Sequence, residues 1–222
     1  MIRPYDAVLF DLLTGLLDSW TVWNRAAGSV TAGRAWRAAY LERTYGCGVY
    51  RPYETLVTEA AVAVGLGAAQ VDALTANWYS LEAWPGVTQT LATLARPCRL
   101  GVVTNCSERL GHQAATRVGV SFDVVVTSER AGYYKPDPHP YQLALAELGL
   151  APARVLFVAG SGFDLFGTAA VGLDTFWHNR VGLAAPPGAP APMAQSPRIE
   201  DVLALFAGPA RNARPAPAAA PG

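Results

Sequence analysis

Ala7-Val8-Leu9-Phe10-Asp11-Leu12-Leu13-Thr14-Gly15 is the stretch that decides the fold. Its apolar run, Ala7 to Phe10, predicts a short strand buried on both faces, of the kind found in a parallel sheet. The run stops at an acid, and Thr14-Gly15 then turns the chain. An open α/β sheet puts its chemistry at the carboxyl ends of its strands, where Asp11 stands. A strand-end Asp can equally cap the next turn. The rest of the chain has to decide between the two.

Downstream, about 15–85 reads as helical with no convincing strand. Asp18 and Ser19 are good N-caps for a first helix carrying Val22, Trp23, Ala26, Ala27 and Val30. Gly33 is expected to interrupt it. A second helix then places Trp36, Tyr40, Leu41 and Tyr45 on one stripe, with Arg37 beside the stripe, either snorkelling to water or pointing into a cleft. Helical pattern resumes from about Glu54 to Gly65 and from Ala68 to Ser80, and closes at Trp84-Pro85-Gly86. Beyond it the period alternates. Helices are expected over Val87–Ala95, Glu108–Val118, Pro140–Leu148 and Leu165–Ala170. Strands are expected over Arg99–Thr104, Asp123–Ser128, Arg154–Ala159 and Asp174–His178. This predicts an α/β fold with a doubly wound parallel sheet and a helical insert after its first strand. The core would span 1–14 and 87–207 and the insert 15–86. Residues 184–197 read as irregular, Ile199–Phe206 as a closing helix, and the Pro/Ala-rich 208–222 as a disordered tail.

Composition narrows the class of function. The chain has 222 residues and a formal net charge of zero, so no field favours nucleic acid or an anionic membrane. No apolar run approaches the roughly 18 residues of a spanning helix, and the acid- and Arg-bearing first residues are no signal peptide. Three cysteines at unrelated spacings (Cys47, Cys98, Cys106) argue for neither a disulfide framework nor a zinc site. A cytoplasmic protein is expected. Of its 17 basic residues 16 are arginine, and the single lysine is Lys135, which hints at a task needing a compact ammonium.

Four strand ends carry polar residues: Asp11; Thr104-Asn105; Lys135; and Ser161 with Asp164. Each has a bland reading as a cap or turn. Together they put two carboxylates, an ammonium, an amide and hydroxyls on one rim of one sheet, the arrangement of a catalytic site. Cys106 has no histidine placed to activate it and is read as a packed side chain. His112 and His139 are read as surface or loop residues. The tryptophans and tyrosines of 20–53 are expected mostly to pack helices, with one or two of them, Tyr53 foremost, lining the pocket.

Phe10-Asp11, Thr104-Asn105, Tyr134-Lys135-Pro136-Asp137-Pro138 and Asp164 resemble, in order and spacing, the four motifs of the haloacid dehalogenase superfamily. The resemblance covers about 1–207 and implies a Rossmann-like core with 15–86 as its cap domain. Phosphatases of that superfamily keep a second Asp two positions after the nucleophile and an acidic pair that holds magnesium. Here those positions carry Leu13 and, for the pair's first member, Gly160. The chain is more similar to the L-2-haloacid dehalogenases, which lack both; Trp36-Arg37 and Tyr141 also resemble that subfamily.

The resemblance implies a hydrolase with Asp11 as nucleophile and an ester intermediate. Lys135, Asp164 and Ser161 would complete the catalytic set. Arg37, Thr104, Asn105, Tyr141, Leu12 and Thr14 would bind substrate or halide. No metal and no cofactor are implied. The partner would be a small carboxylate-bearing substrate, with no nucleic acid and no membrane; a homodimer is left open. Alternatives are a related C–N hydrolase such as an azetidine-2-carboxylate hydrolase, a magnesium-dependent small-molecule phosphatase, and a non-catalytic relative that binds a small acid. The subfamily's Tyr-Gly-Thr is Leu13-Thr14-Gly15 here, its last-motif Ser is Ala159 and its Asn is Ser161.

Overall fold

The computed structural model describes residues 5–207. The tail expectation for 208–222 lies outside the described residues. Strands β1 (Ala7–Phe10), β2 (Arg99–Thr104), β3 (Val124–Thr127), β4 (Val155–Ala159), β5 (Asp174–His178) and β6 (Ala194–Ser196) form one sheet, in the order β3-β2-β1-β4-β5-β6. Every pairing is parallel. Helices α1 (Ser19–Ala26), α2 (Val30–Gly46), α3 (Tyr53–Ala63) and α4 (Ala68–Ala76) lie between β1 and α5 (Val87–Leu94). They are followed by α6 (Glu108–Ala115), α7 (Ser128–Ala131), α8 (Pro138–Leu148), α9 (Asp164–Ala170) and α10 (Ala204–Ala207).

The uniformly apolar strands divide their side chains by parity between two cores, since successive residues of a strand face opposite sides. Val8, Phe10, Val102 and Val158 join one cluster with Leu91 of α5 and Leu110 of α6. Ala7, Leu9, Val103 and Phe157 join the other with Ala144 and Leu148 of α8. A polar residue in the middle of β1 or β4 would face a core, and both strands, Ala7–Phe10 and Val155–Ala159, are apolar throughout.

The order of strands sets where a ligand can bind. Chain order reverses between β1 and β4, and a doubly wound sheet opens a crevice at such a switch point, outside the carboxyl ends. In register, Phe10 lies beside Val102 on one side and Val158 on the other, so the residues that follow these strands emerge together. Asp11, Thr104-Asn105 and the Gly160–Asp164 loop are those residues.

Two expectations are corrected. The break between α1 and α2 falls at Gly28, which takes the left-handed conformation (φ 80), and Ser29 then caps α2 by accepting from the Ala32 N–H. Gly33 lies inside α2, where a Cβ would come within 2.3 Å of Asn24 Oδ1: it is small because two helices touch there, not because the chain turns. Residues 184–197, read as irregular, contain β6, whose pairing with β5 extends the sheet. Ala-Gln-Ser has no apolar alternation, so only its neighbour makes it a strand. Among the described residues no helix is long and apolar enough to cross a membrane.

Candidate active site

Asp11 follows β1 directly, and the turn after it folds back onto its carboxylate. The backbone N–H groups of Thr14 (3.1 Å) and Gly15 (2.9 Å) donate to Oδ2, and so does the Thr14 hydroxyl. Oδ1 accepts from Lys135 Nζ at 2.8 Å. Gly15 permits this turn: a Cβ there would lie 2.3 Å from the Asp11 carbonyl oxygen.

Lys135 bridges two carboxylates, with Nζ 2.8 Å from Asp11 Oδ1 and 2.9 Å from Asp164 Oδ1. The loop that carries it is held by Asn105, whose Oδ1 accepts from the Lys135 N–H at 2.7 Å and whose Nδ2 donates to the Lys135 carbonyl at 2.9 Å. Ser128, at the start of α7, also donates to Asn105 Oδ1. Asp164 Oδ1 accepts from the Tyr141 hydroxyl at 2.9 Å, while its Oδ2 is buried without a hydrogen-bond partner among the described residues.

All three ionisable groups are almost wholly buried. Burial alone would raise the Asp11 carboxyl. The Lys135 ammonium and the Thr14 donors outweigh it and hold Asp11 below the usual carboxylate value. Asp164 goes the other way, raised by burial and by repulsion from Asp11, which Lys135 only partly offsets. Lys135 is raised, because two carboxylates overcome the cost of its own burial. Asp11 is therefore the more firmly ionised carboxylate of the pair.

Arg37 reaches the same place from α2. Nη1 donates to the Ser19 hydroxyl at 2.8 Å, and Ser19 in turn donates to the Leu13 carbonyl. The guanidinium lies 4.1 Å from the ring centre of Trp20. It is buried, burial lowers its pKa, and among the described residues no carboxylate is within ion-pair distance of it. A buried cation without a counter-charge is costly unless an anion joins it.

These groups line a cavity of about 230 Å³. That is below the roughly 300–1,000 Å³ of pockets for drug-sized ligands, so the site suits a small molecule. Of the expected site residues, Asp11, Thr14, Arg37, Thr104, Asn105, Lys135, Ser161 and Asp164 line it. Thr104 Oγ1 is buried and unpartnered there. Three expectations are corrected. Leu12 is buried in the core, and its neighbour Leu13 faces the cavity instead. Tyr141 lies in the other core beneath the cavity and acts on it only through Asp164. Tyr53 is packed between Tyr40 and Trp78, outside the lining.

The aromatics of 20–53 that line it are Trp20, Tyr40 and Tyr45, and the lining residues that sequence reasoning missed are Phe163 and the loop residues Leu183, Ala184 and Pro186. The stripe of α2 already carried Tyr45. Nothing in the local sequence marks the 183–186 loop.

Gly160 is the residue that replaces the first acid of the phosphatase pair. A Cβ there would fall 2.2 Å from Gly15 N and 2.5 Å from Asp11 Oδ2, because the Asp11 turn packs on bare backbone. No side chain fits without displacing the turn. Among the described residues no group of three or more His, Cys, Asp or Glu could hold a metal ion. The two carboxylates that are present share an ammonium, so the residues do not fit a resident divalent cation. Gly160→Ala is expected to destabilise the fold by about 3 kcal/mol or more, through overpacking against backbone. Thermal denaturation checks it: a melting temperature within a degree of the parent would contradict it.

The family model described as haloacid dehalogenase-like hydrolase matches residues 8–178, most of the chain. The chain belongs to the haloacid dehalogenase-like hydrolases. Within this family it is 31% identical over 185 residues to the (S)-2-haloacid dehalogenase of Xanthobacter autotrophicus, covering 76% of this chain and 72% of that enzyme. It is 29% identical over 137 residues to haloacetate dehalogenase H-2 of Moraxella sp. (strain B), covering 60% of this chain, and it spans only 61% of that relative's length. A crystal structure of a dehalogenase with an intermediate complex superposes with a TM-score of 0.81 at 25% identity, covering 94% of this chain and 100% of that one.

Proposed function

We propose that the chain is a hydrolytic dehalogenase of small 2-haloacids that works through a covalent ester on Asp11, with the helices of 15–86 serving as its cap. One observation carries the reading: a buried, ionised carboxylate and a buried guanidinium with no carboxylate partner among the described residues line one small cavity.

Of the two Asp11 oxygens, Oδ2 is tied by three donors and Oδ1 by one, so Oδ1 is the nucleophile. It attacks C2 in line and inverts it; the C–O bond forms as the carbon–halogen bond breaks. The halide departs toward Arg37, with Asn105 beside it, where positive charge meets the charge that grows. The substrate carboxylate is held at Thr104 and nearby backbone amides, and Lys135 offsets its repulsion from Asp11.

The ester leaves Oδ2 as its carbonyl oxygen. When water attacks the Asp11 carbonyl carbon, the developing negative charge falls on the atom that Thr14 and Gly15 already grip. The turn after β1 is then an oxyanion hole for the second step. Asp164, whose Oδ2 has no hydrogen-bond partner among the described residues and whose raised carboxyl makes it the more basic of the two carboxylates, takes the water proton, and Ser161 orients the water. The products are the 2-hydroxyacid, halide and a proton, and Asp11 is restored. No step uses a metal, because the substrate is a monoanion and halide leaves unprotonated. Three free cysteines accord with a reducing cytoplasm.

Halide release from 2-chloropropanoate and monohaloacetates, with and without a chelator, tests the proposal. Release at the same rate under both conditions is expected. Phosphatase turnover that requires magnesium, with no halide from any of these acids, would overturn it.

A further inference from the structure

The charged groups of the cavity come off the sheet edge and from Arg37, and the remaining wall is apolar. Tyr45, from the end of α2, stacks on Phe163 with ring centres 4.3 Å apart and planes 30° from parallel. Facing it, the 183–186 loop is pressed against the turn that carries Phe163: a Cβ on Gly162 would come within 2.6 Å of Pro186 Cδ. Phe163 nonetheless keeps 36% of its surface exposed. Stacked aromatic rings that line a cavity and keep exposed surface are seats for a flat apolar group.

Size points the same way. At about 30 Å³ per water, 230 Å³ holds roughly eight waters, more than the six non-hydrogen atoms of a 2-halopropanoate occupy. Water left in that apolar space would weaken the electrostatic groups beside it.

We infer that the acid turned over here carries a bulky apolar substituent at C2, of arylmethyl size, seated against Tyr45 and Phe163, which determine specificity. The inference rests on the dehalogenase reading above. The discriminating quantity is the ratio of kcat/KM for 2-bromo-3-phenylpropanoate to that for 2-bromopropanoate. In the parent it is expected to be about ten or more, the scale of selectivity an apolar pocket supplies. In Phe163→Ala and Tyr45→Ala it is expected to fall at least about tenfold. Phe163→Leu, which keeps apolar volume but loses the flat face, should fall between. Tryptophan fluorescence titration gives a readout without turnover, in which 3-phenylpropanoate binds the parent more tightly than propanoate and the variants narrow the gap.

A parent ratio below one, or a ratio that the variants leave unchanged, overturns the inference. Halide from 2-bromopropanoate alone overturns this inference and spares the dehalogenase reading. Halide from neither acid overturns this inference, and when the monohaloacetates and 2-chloropropanoate release none either, it overturns the dehalogenase reading as well.

Discussion

Asp11→Asn abolishes halide release, with kcat lowered on the order of 10⁴-fold or more, as expected when a covalent nucleophile is removed. The amide keeps nearly the shape of the carboxylate but has lost its charge, and it sets an N–H donor against donors that already converge on the site. Removing a general base would also abolish turnover, so oxygen isotopes must separate the two roles. With enzyme in excess in heavy-oxygen water, a single turnover should give product carrying light oxygen, because the product oxygen comes from Asp11 Oδ1. The label should appear in the Asp11 peptide. Heavy oxygen in the first-turnover product would end the covalent reading.

The second large effect belongs to Lys135. Lys135→Met leaves Asp11 and Asp164 buried together without the ammonium between them. Breaking a buried ion pair in this way costs about 3–5 kcal/mol at neutral pH. In the parent, the lowered Asp11 carboxyl contributes stability that is present above its unfolded pKa and lost as pH falls through its folded value. The raised Lys135 contributes stability that is present below its unfolded pKa and lost as pH rises through its folded value. Asp164, raised in the folded state, has the opposite sign to Asp11 and favours folding more as pH falls.

Without Lys135 both carboxyls lose the attraction that opposed burial, and protonating one of them relieves the repulsion. Acidification from pH 7 toward 5 should therefore raise the melting temperature of Lys135→Met relative to the parent. Halide release should fall by about 10² or more, since Asp11 is then less fully ionised. Lys135→Arg should also be impaired despite keeping the charge, because a planar guanidinium does not fit a site built around a point cation. A Lys135→Met enzyme with parental stability and a parental pH profile would contradict this account.

The apolar run ending at Asp11 determined a buried strand and a carboxylate at its carboxyl end, because a strand covered on both faces admits no polar residue until it emerges. The alternation of such runs with helical segments determined the parallel sheet. The order of Asp11, Thr104-Asn105, Lys135 and Asp164 determined that they share a rim, since all carboxyl ends of a parallel sheet point one way. The solitary Lys135 among arginines already marked the residue that bridges the two carboxylates.

Other features were decided only by the tertiary structure. Gly28 and Gly33 look alike in sequence, and only the contact with Asn24 shows that one turns the chain while the other lets helices touch. Leu12 and Leu13 are the same residue type and both join the core, and the turn after β1 lets only Leu13 also line the cavity. Tyr141 carries its family's spacing yet reaches the cavity only through Asp164. Tyr45, Phe163 and Pro186 come from segments far apart in the chain and meet only across the folded rim. Local pattern reports which residues must be buried or capped, because that depends on a residue's own strand or helix. Which side chains meet across a cavity depends on loops whose paths are set by long-range packing, and no periodicity records it.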